Sequence, residues 1–423
     1  MRTVSNPVLQ AGAFGKAPAL AIVAAVLGII ACVAGYFMGR PADPHGYNPF
    51  FHSYLVGYMF WMNFTLGGLF LLMVQHLSGG HWGVVSRRIF EAASKNIWLM
   101  AILFLPILGG LGSLYEWTHM SNPEVANDPV LSAKRLWLNV PSFYARLVIF
   151  FGVIGLIIWF LTSWSARQDR TADPRIPTKF RGLSGPGVVI FFMLVTFAAM
   201  DWLLSLEPHY YSTMYGPVIM VGQALGMMAF TIVTLILLSQ KEPMSNVLTL
   251  GHLHDLGKLM FGFTMFWAYI NFSQFLIIWA GNVPEETQYY ARRTHGGWGY
   301  VAWSLIFLQF VAPFSILLSR EIKRKPKALI WIALFILVMR FVDLSFLILP
   351  SAAVMQHAAD AAHGAHDTLT SHFDWAAVGL AFGSVLAVGG IWLLSFFRNL
   401  SRRPIIPVND PYLQEALDFH GGH

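Results

Sequence analysis

The stretch Ala328-Leu-Ile-Trp-Ile-Ala-Leu-Phe-Ile-Leu-Val-Met-Arg340-Phe-Val-Asp343-Leu-Ser-Phe-Leu-Ile-Leu-Pro350 is apolar but for one arginine, one aspartate and a serine. Its length is that of an α-helix crossing a bilayer core, which needs about 20 apolar residues. A lone charge at mid-bilayer costs roughly 2.5–3.5 kcal/mol on insertion scales. Arg340 and Asp343 stand at i, i+3, share a helix face, and can neutralise each other. The segment therefore reads as a membrane-spanning helix whose ion pair either carries protons or locks helices together.

The rest of the chain repeats the pattern. Of 423 residues, 56% are hydrophobic and only 11% charged, against about a quarter charged in soluble domains. Apolar runs predict about ten spans, near 18–38, 50–76, 97–115, 141–164, 187–206, 217–239, 258–280, 298–319, 328–350 and 374–397. An even number places both termini on one side. About twenty lysines and arginines flank the spans on that side and about five on the other, which predicts cytoplasmic termini. Tryptophans at span ends read as interfacial anchors.

The expected fold is an all-α integral membrane protein with two four-helix bundles, helices 2–5 and 6–9, flanked by helices 1 and 10. The bundles are set at 50–207 and 208–350, between an N-terminal part, 1–49, and a C-terminal part, 351–423. Helices 5 and 9 suggest the duplication, since Asp201 precedes Pro208 by the same seven residues that separate Asp343 from Pro350. That echo fits a repeat of one orientation, not the inverted repeats common in secondary transporters.

Several chemistries find no residues to carry them. The single cysteine, Cys32, lies in the first apolar run and offers neither a disulfide framework nor a thiolate set for an iron–sulfur cluster. No span has a histidine near its middle, where an axial haem ligand would sit; His52 and His76 mark the two ends of helix 2. The tract holding His357, His363, His366 and His372 matches no standard metal spacing and reads as a connector. Basic residues lie in short loops, not on one solvated surface, so nucleic acid is not an expected partner. The run from Pro18 to Met38 exceeds the roughly 7–15 residues of a cleaved signal core and is expected to stay.

Ionisable residues inside spans are functional candidates by default. Asp201 has no basic residue at helical spacing on its own helix, so it must find a distant partner or take up a proton. Glu207 and His209 follow it toward the periplasm, where His52, Glu116, His119 and Arg146 lie at similar depth; His52, Glu116, Arg146 and Asp201 form a possible quinol pocket. On helix 7, Tyr269, Asn271, Ser273 and Gln274 offer hydroxyls and amides for a water wire, or for interhelical hydrogen bonds. His76, His252, His254 and Asp255 stand toward the cytoplasm, as proton entry groups or as solvated loop residues.

Three stretches carry a resemblance: Phe197-Ala-Ala-Met-Asp-Trp-Leu-Leu-Ser-Leu-Glu-Pro-His209, Phe261-Gly-Phe-Thr-Met-Phe-Trp-Ala-Tyr-Ile-Asn-Phe-Ser-Gln-Phe275 and Trp279-Ala-Gly-Asn-Val-Pro-Glu-Glu286. They resemble the F subunits of bacterial Alternative Complex III, within the polysulfide-reductase-type, NrfD-like membrane family, over nearly the whole chain. The resemblance implies a bacterial inner-membrane subunit without cofactor of its own in a quinol-oxidising respiratory complex. Its partners there would be a related C-type NrfD-like subunit, an iron–sulfur protein and a multihaem cytochrome c, which hold the iron–sulfur clusters and haem c. It implies a proton route rather than catalysis in this chain, through Asp201, Arg340 and Asp343, less directly Glu207, with Tyr269 and Gln274 from the polar series of helix 7. A quinol site of its own, or a purely structural anchoring role, are the competing expectations.

Overall fold

The computed structural model describes residues 9, 12–39, 47–355 and 373–418, and these are all-helical, with no strand among them. Among the described residues ten helices are long and apolar enough to cross a membrane: α1 (Ala17–Met38), α2 (Phe50–Ser78), α3 (His81–Gly109), α4 (Val140–Arg170), α5 (Ile176–Leu206), α6 (Tyr215–Leu238), α7 (Leu250–Gly281), α8 (Gly296–Leu318), α9 (Pro326–Met355) and α10 (Trp375–Ser401). The chain is a multi-pass membrane protein. The tract His357–His372 lies outside the described residues.

The helices start where side chains satisfy their first free amides. Asn139 accepts from the Ser142 amide (2.8 Å) to open α4, and Asp374 accepts from the Ala376 amide (2.7 Å) to open α10. Thr249 and His252 cap α7 reciprocally. Helix α7 ends at Asn282, which takes the left-handed conformation (φ 47°) common at such ends. Within α8, Leu305–Val311 forms a π-helical turn, a widening often found at functional sites.

Packing sorts the helices by depth. Helices α2 and α6 are buried nearly all round, whereas α1, α7 and α8 expose most of their surface. Several polar groups of α2 are answered by neighbouring helices, as burial in a membrane-spanning bundle requires. Tyr54 and Tyr58 donate to the carbonyls of Leu103 (2.8 Å) and Met100 (3.2 Å) on α3. Trp61 donates to Val385 O (2.8 Å) on α10, and Trp392 returns a bond to Thr65 Oγ1 (2.9 Å).

Helix α1 lies along α10 on a seam of small residues. A Cβ on Gly28 would collide with the Ala387 backbone, and one on Gly390 with that of Ala21 and Ala25. Close backbone approach of this kind is how helices associate where lipid removes the hydrophobic drive. Gly28→Leu is expected to destabilise the purified protein by about 1–3 kcal/mol, read as a lower Tm in detergent, while Gly152→Leu, where a Cβ meets open space, should leave Tm near the parent value.

Three elements begin earlier than the sequence suggests, among them α5, which starts at Ile176 instead of 187. The third span was expected at 97–115 with Arg87, Arg88 and Lys95 in a preceding loop, but α3 starts at His81 and buries Arg87 and Arg88. Helix α7 starts at Leu250 instead of 258, so His252 and His254 are helical and buried. The physical reason is charge compensation: Arg87 and Arg88 enter the helix because Glu91 stands one turn on, at i+4 and i+3.

Residues 12–14 and the end of α10 meet at one pole of the described residues. Phe14 packs on Phe397 (ring centroids 4.7 Å), and Lys241 donates to Gly12 O (3.1 Å). After α10 the chain folds back across this pole: Arg403 donates to Thr162 O (2.8 Å), Asn409 to Gln168 O (2.9 Å), and Asp410 pairs with Arg87 (2.7 Å).

Candidate functional site

Asp201, near the end of α5, finds its distant partner on α4. The Arg146 guanidinium grips the carboxylate with both arms, Nε to Oδ2 at 2.6 Å and Nη2 to Oδ1 at 2.9 Å, the two-point geometry that makes arginine–carboxylate pairs strong. Trp137 donates its indole N–H to Oδ1 (2.8 Å), and Arg146 stacks on the Trp137 ring at 4.2 Å. Ser142 accepts a third bond from Arg146. The side chain of Arg146 keeps 16% exposure against 4% for Asp201, so the pair is reached from one side.

A second aspartate site lies on α9. Arg340 pairs with Asp343 on its own helix, and Trp267 of α7 donates to Asp343 Oδ2 (3.2 Å). The π-helical turn of α8 brings Gln309 to the same place, where its amide, suitably oriented, donates to Met339 O (2.9 Å) and accepts from Trp267 (3.3 Å). This pair is sealed, with side-chain exposures of 2% and 3%. Each site thus joins an aspartate, an arginine and an indole N–H.

Glu207 is held between two guanidiniums, Arg292 at 2.7 Å and Arg293 at 2.6 Å. Arg293 also lies over the Tyr289 ring at 3.5 Å and donates to the carbonyls of Phe346 (3.2 Å) and Leu347 (2.9 Å). Glu207 therefore ties the end of α5 to the short helix Pro284–Thr294 and to α9. Beside it, His209 contacts Asp128 (2.8 Å). Burial, opposed by His209 and reinforced by the Asp128 charge, pushes the Glu116 carboxyl above its ordinary value.

The other candidates do not converge on these sites. Tyr269 turns outward, 67% exposed. Asn271 and Ser273 bond carbonyls of their own helix, Trp267 O (2.8 Å) and Ile270 O (2.9 Å), while Gln274 accepts from Ser212 (3.0 Å). The polar series on α7 is thus split between two faces, Tyr269 with Ser273 and Asn271 with Gln274. His52 is buried beside Tyr47 (ring centroids 5.6 Å), with neither ring nitrogen hydrogen-bonded. His76 meets Ser184 Oγ (3.1 Å) and stacks on Phe180 (4.4 Å). Asp255 pairs with Lys258 (3.1 Å) near the surface.

Next to the Asp201 site a groove of about 560 Å³ opens between α5 and α7, a volume ordinary for a small-molecule site. Its wall includes Trp137, Ser205, Tyr210 and Gln274, but none of His52, Glu116, Arg146 or Asp201. Two wall residues touch Asp201 directly: Trp137 bonds its carboxylate, and the Ser205 hydroxyl donates to its main-chain carbonyl (2.5 Å).

Trp137 and Trp267 are among the site residues that sequence reasoning missed, with Arg292, Arg293 and Gln309; tryptophan near a span end reads as an interfacial anchor. Trp267 sits inside a span, and that depth was the available signal. No protein-family model matches the chain, and a search of curated proteins finds no match.

Proposed function

We propose that the chain is a cofactor-free inner-membrane subunit of a quinol-oxidising respiratory complex, built as two four-helix bundles with both termini in the cytoplasm. Its task is to provide a proton path coupled to quinol oxidation and to dock the subunits bearing iron–sulfur clusters and haem c. The motif resemblance supplies the complex. The observation that carries the proton role is the bidentate Asp201–Arg146 pair beside a groove. A protonatable carboxylate inside a membrane-spanning helix is costly unless used or paired; here the pairing arginine keeps partial exposure, which supports proton exchange at Asp201.

A second reading, quinol binding by this chain, draws on the groove between α5 and α7. Its wall is mostly apolar with a few hydroxyls, the Gln274 amide and the charged Lys134 and Glu286, which suits an amphipathic ring with hydroxyl groups. A quinol there would stand one side chain away from Asp201, through Trp137 or Ser205, so the two readings share a proton acceptor.

The test is Asp201→Asn in the purified complex reconstituted in liposomes. Quinol oxidation is expected to persist while proton translocation falls at least about tenfold, within the range a positioned acid–base group contributes. Unchanged electron transfer together with unchanged translocation would make the α5 carboxylate architectural and favour a structural anchor. A quinone analogue crosslinking to Tyr210 or Ser205 would establish the second reading.

A further inference from the structure

The seam between α2 and α6 holds polar atoms that the protein leaves unanswered. Asn63 Oδ1 and both amide atoms of Gln223 are buried without a hydrogen-bond partner, each residue 1% exposed. Their placement follows from helix geometry. A Cβ on Gly67 would touch the Gln223 carbonyl and the Met227 side chain, so Gly67 and Met227 face each other across the seam. Asn63 and Gln223 each stand four residues before one of them, hence on the same faces one turn along. The two amides point into one seam, and their polar atoms do not bond each other.

Arg340 approaches the same helix from α9. A Cβ on Gly222 would strike its guanidinium, so the group rests on the α6 backbone beside Gln223, and its Nε is also buried and unpartnered. Leaving one buried donor or acceptor unmade costs about 1–3 kcal/mol, and four atoms in one region multiply that cost. Apolar side chains would have filled the space at no such cost.

We infer that this seam is a water-binding site: water bridges Asn63 and Gln223 between α2 and α6 and reaches toward Arg340 Nε. Buried water typically makes about three hydrogen bonds to polar groups that the protein leaves unanswered, and amide oxygens, an amide N–H₂ and a guanidinium N–H supply both acceptors and donors. The site hydrates the sealed Arg340–Asp343 pair from the side facing α2. It stands without the proton-path reading, since a complex that moves no protons can still hold this water.

Radiolytic hydroxyl labelling of the intact complex tests it, because radicals form from bound water and oxidise the side chains beside it. Met227 borders the seam, while Met62 and Met100 are equally buried controls. Met227 is expected to oxidise at least about fivefold faster than either control, as a water-lined site requires. Labelling of Met227 at the control rate would overturn the inference. In a complex carrying Asn63→Leu and Gln223→Leu the excess should disappear, and its persistence would show that these amides do not hold the water. The comparison within the unmodified protein decides the matter even where the double variant fails to assemble.

Discussion

Arg340→Leu is expected to destabilise the protein by about 3–5 kcal/mol, because it strips the guanidinium from a carboxylate that is buried away from bulk solvent. Asp343 keeps the Trp267 indole at 3.2 Å, and one neutral donor does not balance a buried charge. Thermal unfolding in detergent should show a fall of several degrees. The informative comparison is the double variant Arg340→Met, Asp343→Leu. Replacing a buried ion pair by apolar residues of similar volume is often neutral or stabilising, so the double variant should recover most of the lost Tm. If it recovers stability and assembles but translocates no protons, the α9 pair works in the path. If it recovers both, the pair only locks α9 against α7 and α8. An Arg340→Leu protein that melts like the parent would remove the premise that the pair is buried and coupled.

The number of spans was legible because a bilayer imposes one length on every crossing and leaves few charges inside. What the pattern could not show is where a charged helix continues beyond the bilayer. Arg87, Arg88 and Glu91 mark α3 only when read at i, i+3 and i+4, and their proximity to the apolar run made them look like a loop. The aspartates stood out for the same reason the spans did, being rare ionisable groups in apolar runs. Their partners split by distance. Arg340 lies three residues from Asp343 and was visible, whereas Arg146 lies on another helix and enters the Asp201 site only through packing. Trp137 and Trp267 were hidden by their residue type, since their ring suits an interface and their N–H suits a carboxylate equally well. The dispersal of Tyr269, Asn271, Ser273 and Gln274 is helical rotation: adjacent residues lie about 100° apart, and only i, i+3 and i+4 positions share a face.

The second large effect is expected where the segment after α10 folds back, with Glu91→Gln. Glu91 accepts from Arg88 (2.8 Å), Arg87 (3.2 Å) and Ser165 (2.6 Å), and Arg403 stands 3.8 Å away. Asp410 and Asp169 hold the outer arms of Arg87 and Arg88. Three guanidiniums are thus balanced by three carboxylates in a largely buried network. Neutralising the central one leaves excess positive charge where water cannot screen it, at an expected cost of about 3–5 kcal/mol. Glu321→Gln is the control: its pair with Lys325 (3.4 Å) is exposed, and such pairs contribute about 0–1 kcal/mol. The structural consequence is specific. Arg403 and Asp410 fasten the segment that folds back after α10, so loosening the network should free it. Limited trypsin digestion of the purified protein is expected to cut after Arg402 several times faster in Glu91→Gln than in the parent, with a lower Tm; the next bond, Arg403–Pro404, resists trypsin. If the segment stays protected while Tm falls, Asn409 and its bonds to Gln168 O and Asp169 O hold it instead of the charge network. If neither changes, the three arginines are compensated from elsewhere and the central role of Glu91 is lost.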